Sequence, residues 1–495
     1  MTSTSTRSRK EANEYMEFWR DSSNYHEDLP SYKRAVELWV NDSRFQKNYK
    51  IDPSKTLREA GLEKIKPLEL DIMVDKEVAV QYAASSGAQV PILVKQYRDF
   101  IQAKMRHCVE IRDSHPDHTL WQKWRKRMVN ATLWREGPRK HAKLVHAPFT
   151  VELTHGCTVG CWFCGVDAEK FQGPVEMRPE VKENWRDMLE GFKEICGQES
   201  AQHGFCYWAT DPLDHPEYEW FLEEFHNVLD YWPQTTTAQV MKHAPRVRKL
   251  FETIKSKNAF VQRFSMTRST DLGEIYKFFR PEELFLCELI PQYDDKQSPK
   301  ATAGRVRDLV LKKRDQDKDV NFHYDLEATG SIACVSGFLI NLVQRSIKLI
   351  TPCEASDRWP LGYRILGEYT YSYEEKMEDV IRTMLDGCLN DRLAPDDQLK
   401  GQRGVVFGAD EHGTKLTATS HGYTFNMKNI DNAHQFARLL TEGTHTVEEI
   451  CTAMSSQGAT RLQTLINLHQ LFEQGIFDED IIDSGRKSLV EKEVA

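Results

Sequence analysis

Three cysteines that follow a predicted β-strand constrain this chain more than any other feature. Residues 149–154 alternate apolar and polar side chains and are rich in β-forming residues, which predicts a strand. The loop after it carries Cys157, Cys161 and Cys164 in the spacing C-x3-C-x2-C, interspersed with glycines. Three thiolates on a loop this flexible can converge on one soft metal centre. Because a [4Fe–4S] cluster normally takes four cysteines, three would leave one iron open to a non-protein ligand.

The loop resembles that of the radical S-adenosylmethionine (AdoMet) enzymes, because Phe163 supplies the aromatic residue before the last cysteine of their motif. In that superfamily the open iron binds the amino and carboxylate groups of AdoMet, and the aromatic side chain lies near the adenine. The resemblance implies a [4Fe–4S] cluster held by the three cysteines, with AdoMet beside Phe163. A zinc site is the alternative. It would need a fourth ligand, for which His155 is the nearest candidate.

Composition sets limits on the class of protein. The 495 residues exceed one usual domain, and the net charge of −9 argues against binding nucleic acid through bulk electrostatics. The N-terminus has no apolar core like that of a signal peptide, and the apolar segments are too short for a membrane span. Eleven cysteines without a secretion signal are typical of a reducing compartment. We therefore expect a cytoplasmic protein that binds neither nucleic acid nor a membrane.

The pattern along the chain predicts an α/β protein built around a partial (β/α)6 barrel. The predicted parts are a helical N-terminal region (1–145), the barrel (146–370), a helical linker (371–399), a small α+β winged-helix-like module (400–480) and a polar tail (481–495). Repeated β-α units imply parallel strands, whose carboxyl ends gather the active site. The later barrel elements are predicted as a strand at Val320–Asp325, a helix at Gly337–Ser346 and a sixth strand at Lys348–Pro352.

Two cysteines outside the loop are candidates for catalysis. Cys353 directly follows the predicted sixth strand, which would aim it at the mouth of the barrel. Cys334 lies before the predicted helix at Gly337–Ser346 and is the weaker candidate. The alternative for either residue is a buried structural cysteine.

Four further residues are candidate AdoMet contacts. Thr210 and Asp211 follow the predicted second strand, at residues 204–209, and offer oxygen acceptors for the AdoMet ammonium group. The alternative for this pair is a turn or helix cap, because Asp-Pro favours turns. Ser265 and Arg268 follow the fourth strand and could bind the AdoMet carboxylate or ribose, with a surface ion pair as the alternative.

A basic run between Lys123 and Lys143 has two interpretations. It contains Lys123, Arg125, Lys126, Arg127, Arg135, Arg139, Lys140 and Lys143 against a single Glu136. A solvated helix face is the simpler interpretation. A patch for an acidic peptide, or for the approaching AdoMet carboxylate, is the other.

Taken together, the cysteine loop, the YWATDPLDHP segment from Tyr207 and the TPCEASDRWPLGYRI segment around Cys353 resemble the radical-AdoMet peptide epimerases of the polytheonamide (proteusin) type. The resemblance covers about 146–370 and implies that a 5′-deoxyadenosyl radical removes a Cα hydrogen from a ribosomally made peptide. A thiol, here Cys353, would return hydrogen from the opposite face, and an external electron donor would be needed. Other radical-AdoMet peptide modifications (thioether crosslinking or C-methylation) and a non-catalytic Fe–S or leader-binding scaffold remain alternatives.

The C-terminal part is predicted to contain three short strands, Gly404–Phe407, Thr414–Thr419 and Gly422–Met427, followed by three helices, Asn432–Thr441, Val447–Met454 and Arg461–Gln474. The segment Leu439–Gly443 followed by Thr446–Ile450 resembles the small winged-helix elements that bind the leader of a precursor peptide, usually as an added strand. A DNA-binding winged helix is the alternative. Residues 431–480 contain eight acidic and two basic side chains, a balance that would repel a phosphate backbone. Peptide binding is therefore favoured.

Overall fold

The structure, a computed structural model, describes Phe18 and residues 22–85, 89–255, 257–294, 298–315 and 331–485. The described chain is mixed α/β, with a large hydrophobic core in the N-terminal and central regions and a second core in the C-terminal region. Within these ranges, no helix is both long and apolar enough to cross a membrane. The predicted strand at Val320–Asp325 lies outside the described residues.

The N-terminal region is helical, as predicted. Its described helices are α1 (Leu29–Asn41), α2 (Ser43–Ile51), α3 (Pro53–Glu59), α4 (Pro67–Val74), α5 (Lys76–Ala84), α6 (Ile92–Asp113) and α7 (Thr119–His141). Aspartates begin several of them, because the carboxylates of Asp42, Asp52 and Asp75 accept hydrogen bonds from the first N–H groups of α2, α3 and α5. Local sequence therefore sets where these helices begin.

The central region alternates strands and helices. Its elements are β1 (Ala147–Glu152), β2 (Thr154–His155), β3 (Gly173–Pro174), α8 (Pro179–Cys196), α9 (Gln198–Ala201), α10 (Tyr218–Leu229), β4 (Thr236–Thr237), α11 (Ala244–Ile254), β5 (Gln262–Met266), α12 (Asp271–Phe278), β6 (Cys287–Pro291), α13 (Gly304–Asp315), β7 (Val335–Asn341), β8 (Ser346–Pro352), β9 (Tyr363–Thr370) and α14 (Met377–Cys388). Helix α14 falls within the predicted linker and packs its buried side chains into the large core.

Two sheets contain most of the strands of the central region. Strands β4, β5 and β6 are parallel, and the other sheet has the order β1-β7-β8-β9. The predicted second strand is a single parallel bridge in which Phe205 pairs with Thr150 of β1. Among the described strands no barrel closes.

The end of the predicted barrel, from residue 335 onward, is wrong. Residues 335–341 form strand β7, parallel to β1, where a helix at Gly337–Ser346 is predicted. Strand β8 then returns antiparallel to β7, with Ile350 opposite Gly337, so it is not a sixth parallel strand. The physical reason is that a short, continuous apolar run does not distinguish a buried strand from a buried helix by its period. Asn341 ends β7 by accepting hydrogen bonds from the N–H groups of Val343 and Gln344, which forms the hairpin turn.

The C-terminal region contains the three predicted strands, the three predicted helices and a fourth helix that was not predicted. The strands are β10 (Val406–Ala409), β11 (Lys415–Ser420) and β12 (Tyr423–Lys428). The predicted helices are α15 (Ala433–Glu442), α16 (Val447–Ser455) and α17 (Arg461–Glu473), and the fourth is α18 (Glu479–Gly485). The three strands form an antiparallel sheet. Helix α16 begins with a capping box between Thr446 and Glu449. The predicted polar tail begins inside α18, and its residues from 486 onward lie outside the described ones.

Helix α7 contacts both the central and the C-terminal regions. The two interpretations of its basic run, a solvated helix face and a patch for an acidic ligand, are both wrong for Arg125 and Arg127. Arg125 is 0% exposed and donates hydrogen bonds to the carbonyl groups of Arg112 and His146. Arg127 is also buried and pairs with Glu479 of α18 at 2.8 Å. These cations are buried because they satisfy carbonyl and carboxylate groups where elements meet. Lys126, Arg139, Lys140 and Lys143 are exposed.

Candidate active site

The cysteine loop begins just past the carboxyl end of β1, as predicted. Its base is closed by β2, which pairs with β3, and by a hydrogen bond of 3.0 Å from the Cys157 N–H to the Glu169 carbonyl oxygen. Gly156 has a φ of +77°, and a Cβ there would collide with the carbonyl group of Lys170. A glycine is therefore required where the loop starts.

The three thiols of the loop are each partly buried. Burial raises the pKa of Cys157 and Cys161 to about 11, and for Cys161 the neighbouring thiols Cys164 and Cys157 add to the effect. Two sulfurs already accept backbone hydrogen bonds: Cys157 Sγ from the Val159 N–H at 3.4 Å and Cys164 Sγ from the Ala168 N–H at 3.3 Å. Such bonds are a feature of cluster thiolates, because they stabilise charge on sulfur.

The donor set of this loop fits an iron–sulfur cluster bound through three thiolates. Soft sulfur ligands select Fe–S centres or zinc, so the three thiols suit either. His155, the nearest fourth ligand for zinc, contacts Glu169 at 3.1 Å, as a zinc-bound histidine also can. Among the residues that the structure describes, no three His, Cys, Asp or Glu side chains are grouped closely enough to hold a metal ion. The three cysteines therefore match an iron–sulfur cluster in the type of ligand and in the position of the loop.

Phe163 packs against helix α13. Its ring contacts the buried Val306 and Val310, and the ammonium group of Lys300 lies 4.9 Å from the ring centroid. The exposed Trp162 meets the same ring edge to face at 5.4 Å. Phe163 thus anchors the cysteine loop to α13, and its predicted place beside adenine stays a prediction.

Asp211 lies where the alternative interpretation, a turn cap, placed it. Its carboxylate is 4% exposed and accepts hydrogen bonds from the Leu213 N–H, the Thr237 hydroxyl group and the Ala238 N–H, at 3.1, 2.9 and 2.8 Å. Burial raises the pKa of Asp211 to about 6. The neighbouring Thr210 hydroxyl group contacts that of Thr154 at the base of the cysteine loop. Binding of the AdoMet ammonium group by this pair stays a prediction.

Asp214 is a residue that the sequence interpretation missed. Its carboxylate accepts hydrogen bonds from the N–H and hydroxyl groups of Thr158 in the cysteine loop, at 2.9 and 2.6 Å. It also accepts one from Gln239 Nε2, just past β4, at 2.7 Å. Asp214 therefore ties the cysteine loop to the carboxyl end of β4. The Asp-Pro-Leu-Asp segment was the available signal.

Ser265 and Arg268 line a cavity of about 220 Å³ at the carboxyl ends of β4 and β5. The guanidinium group of Arg268 is well exposed and pairs with Asp271 at 2.7 Å and with Glu274 at 3.4 Å, so a surface ion pair describes it. Ser265 is partly buried on β5. The cavity brings both residues to the same end of the sheet as the cysteine loop.

Glu152, the last residue of β1, was also missed. Its buried carboxylate accepts hydrogen bonds from the Ala209 N–H at 2.7 Å and from Asn341 Nδ2 at 2.8 Å. Burial raises its pKa. Glu152 therefore joins the segment before Thr210 to the end of β7.

The reasoning that placed Cys353 at the mouth of the barrel is wrong, because β8 runs antiparallel to β7. The end of β8 lies level with the start of β7 and so with the amino end of β1. Burial raises the pKa of the Cys353 thiol to about 12; the nearby cations are Arg135 and Arg364, and the nearby anions are Asp478 and Asp480. Cys353 thus faces α7, β9 and the C-terminal region. Its catalytic role stays a prediction.

Cys334 lies at the same end of the sheet. Its carbonyl oxygen accepts a hydrogen bond of 2.7 Å from the N–H of Ala147, at the start of β1. Its side chain packs against a small apolar cluster and borders a cavity of about 60 Å³ shared with Tyr207 and Arg263. Residues near each candidate cysteine in sequence approach the cysteine loop. Near Cys334, the Ile332 side chain lies beside Gly165 of that loop. Near Cys353, the Pro360 carbonyl oxygen accepts a hydrogen bond from the Gly304 N–H, which lies next to the loop.

Arg305 is a third residue that the sequence did not single out. It begins α13 and contacts the cysteine loop through both its backbone and its guanidinium group. No motif announces it, because some 140 residues separate it from Cys164 and Asp167.

Comparison with known proteins gives one close relative. The protein described as "Uncharacterized protein y4wI" from Sinorhizobium fredii (strain NBRC 101917 / NGR234) is 31% identical over 483 residues, which cover 94% of this chain and 91% of the relative. No protein-family model matches the chain. A solved structure, that of BtrN in complex with AdoMet and 2-DOIA, aligns with 48% of this chain and 86% of its own at 13% identity. Its TM-score of 0.28 is too low to establish a shared fold.

Proposed function

We propose that this chain, which belongs to the same family as the Sinorhizobium fredii protein y4wI, is a radical-AdoMet enzyme that acts on a ribosomally made peptide and inverts L-residues to D-residues. One observation carries the proposal. The C-x3-C-x2-C loop lies just past the carboxyl end of β1 and is tied by Asp214 to the carboxyl end of β4. Parallel strands gather their active sites at this end.

The roles of the chain's own residues follow from this placement. Cys157, Cys161 and Cys164 would hold a [4Fe–4S] cluster whose open iron binds AdoMet, and that pair supplies a 5′-deoxyadenosyl radical once an external donor provides an electron. The cavity beside Ser265 lies at the carboxyl ends of β4 and β5. Asp211 and Asp214 hold two of its lining residues, because their carboxylates accept hydrogen bonds from the Ala238 N–H and from Gln239 Nε2.

The epimerase step needs a hydrogen donor on the face opposite the one that lost hydrogen. The AdoMet-derived radical would remove a Cα hydrogen and become 5′-deoxyadenosine, and a thiol of the protein would then donate its hydrogen atom to the planar Cα radical. The resulting thiyl radical is restored to a thiol by one electron and one proton from the external donor. The support for this step is the resemblance of the segments around Tyr207 and Cys353 to peptide epimerases.

The structure offers an argument for each candidate donor. Cys353 lies on the 353–362 loop, whose Pro360 carbonyl oxygen accepts a hydrogen bond of 2.9 Å from Gly304, beside the cysteine loop. Cys334 borders a cavity of about 60 Å³, which gives its thiol a neighbouring space. We keep Cys353 as the first candidate and Cys334 as the second.

The C-terminal region is the proposed site for the leader of the precursor peptide. It contains exposed apolar side chains that its own core does not use. Leu462 and Ile466, four residues apart on α17, are 69% and 42% exposed, and Val406 on β10 is 65% exposed. Residues at i and i+4 lie on the same face of a helix, so α17 offers an apolar stripe to a peptide partner.

Anaerobic reconstitution with iron, sulfide, AdoMet and a reductant tests the radical chemistry. Wild-type protein should form 5′-deoxyadenosine. Replacement of Cys157, Cys161 or Cys164 by Ala should abolish both the visible absorption of the cluster and AdoMet cleavage, because each thiolate is an obligatory ligand. Cys388→Ala is a matched control that changes a cysteine far from the loop in sequence and should behave as wild type. Full iron content and cleavage in any loop variant would refute the proposed function.

The peptide substrate needs a separate test. Small precursor peptides encoded beside the gene are incubated with the active enzyme and hydrolysed, and the chirality of each residue is determined. D-residues without a change in peptide mass are the expected result. A crosslinked or methylated product would keep the radical chemistry and replace the epimerase assignment.

A further inference from the structure

The start of α13 makes four contacts with the cysteine loop through one residue. The backbone N–H of Arg305 donates to the Cys164 carbonyl oxygen at 3.0 Å. Its guanidinium group donates to the Cys161 carbonyl oxygen at 2.8 Å and pairs with Asp167 at 2.9 Å. It also bonds to the Ala168 carbonyl oxygen. One side chain therefore holds the loop on both sides of Cys164.

Gly304, the residue before it, permits this approach. Its φ is +52°, in the left-handed region that favours glycine. A Cβ at this position would lie 2.5 Å from the Cys164 carbonyl oxygen and 2.6 Å from that of Gly165. Any side chain would push α13 away from the loop and break the bonds of Arg305. Gly304 and Arg305 thus act as a pair.

The loop has a physical need for such a support. The glycines at positions 156, 160 and 165 give it wide conformational freedom, and ordering a flexible segment when a ligand binds costs free energy. Bonds that fix the backbone beforehand remove part of that cost. An arginine suits the task because its planar group presents donors in a fixed fork that can reach two carbonyl oxygens and a carboxylate together. A lysine cannot.

We propose that Gly304 and Arg305 are positioning residues that hold the cysteine loop in the conformation that receives its metal centre. The identity of that centre rests on the proposed function, whereas the holding of the loop is a property of the metal-free protein. Both residues contact the cysteine loop itself, so the proposed effect acts through the loop.

Alkylation of the metal-free protein tests the support directly. The rate at which Cys157, Cys161 and Cys164 react with a maleimide is followed by mass spectrometry. The loop cysteines of Arg305→Gln, Arg305→Lys and Gly304→Ala should each react several-fold faster than those of wild type. The two Arg305 variants lose the guanidinium contacts with the loop, and Gly304→Ala loses the close approach that these contacts need. Arg314→Gln, which removes an exposed cation from the same helix, should react as wild type. The fully buried Cys206 serves as an internal control and should stay unreactive throughout.

The second readout is retention of the centre. After reconstitution, Arg305→Gln and Arg305→Lys should lose iron to a chelator several-fold faster than wild type and Arg314→Gln. If Cys206 becomes reactive in Arg305→Gln, that variant has unfolded, and the smaller change Arg305→Lys decides. Wild-type alkylation rates and iron retention in Arg305→Lys would overturn the proposal, as would equal effects of the Arg314 and Arg305 variants. A wild-type protein that binds no cluster would refute the proposed function, and the alkylation rates would still decide the role of Arg305.

Discussion

The parallel strands β4 to β6 (the parallel side) and the antiparallel strands β7 to β9 (the antiparallel side) belong to different sheets, and their ends differ in chemistry. The parallel side brings the cysteine loop, Asp214 and the cavity of Ser265 to one end. The antiparallel side ends near the C-terminal region, where Arg364 lies 4.0 Å from Glu479 and Trp359 donates to Asp480. A cysteine after a strand therefore locates an active site only when the direction of that strand is known.

The largest expected effect is on the formation of D-residues, and it concerns the two candidate hydrogen donors on the antiparallel side, Cys353 and Cys334. Cys353→Ala should keep the cluster and AdoMet cleavage but give no D-residue, because no hydrogen reaches the second face of the Cα radical. In deuterated water the wild type should add one deuterium per inverted centre, since a thiol exchanges with solvent. Chirality and mass of the product are the measurements.

Cys334→Ala is the matched variant for that experiment. It should leave epimerisation intact if Cys353 is the donor. Loss of D-residues in Cys334→Ala alone would identify Cys334, beside the cavity of Tyr207 and Arg263, as the donor. Full epimerisation in both variants would show that neither Cys353 nor Cys334 is the hydrogen donor.

The next largest effect is on the free energy of unfolding. It concerns the amino end of β1, near which both candidate donors lie. Arg125→Met should lower the free energy of unfolding by about 3 kcal/mol, because it leaves buried carbonyl groups such as that of His146 without a donor. Lys126→Met, on the exposed face of the same helix, should change it by less than about 0.5 kcal/mol. Urea denaturation followed by tryptophan fluorescence compares the two. Similar midpoints would mean that the arginine is not a structural support of this end.

A smaller effect is expected in the C-terminal region, which borders the antiparallel side. Leu462→Asp should weaken binding of the precursor peptide by at least about tenfold, since burying one leucine contributes roughly 1.5–3 kcal/mol. Stability should hardly change, because the side chain is already 69% exposed. Val80→Asp, which changes an exposed valine on α5, is the control. Equal affinities of the two variants for a fluorescently labelled precursor would place the leader elsewhere.

The smallest expected effect is an absence of pH dependence. A hydrogen donor must keep its S–H bond, and the raised pKa of Cys353, about 12, means that the folded state holds this proton where an ordinary thiol ionises near about pH 8.5. The ratio of D-residue to 5′-deoxyadenosine should therefore stay level from about pH 8 to about pH 10. A ratio that falls by half near about pH 8.5 would indicate a donor with an ordinary pKa.

Local pattern was enough for much of the secondary structure. The C-terminal strands and helices lie within about two residues of their predicted bounds, because alternation and glycine turns set the strands and a capping box starts α16. The segment at 335–341 failed because its continuous apolar run suits a buried strand as well as a helix.

What the sequence by itself determined is the chemistry of one loop: three thiols in a spacing that fits an iron–sulfur cluster, next to a strand. The tertiary structure decided where everything else lies relative to that loop. It turned Asp211 into a buried brace, placed Cys353 toward the C-terminal region, and brought Arg305 from a distant part of the chain onto Cys161 and Asp167. Spacing within a loop is a short-range property of the chain. The direction of a strand and the partner of an arginine depend instead on which distant surfaces pack together.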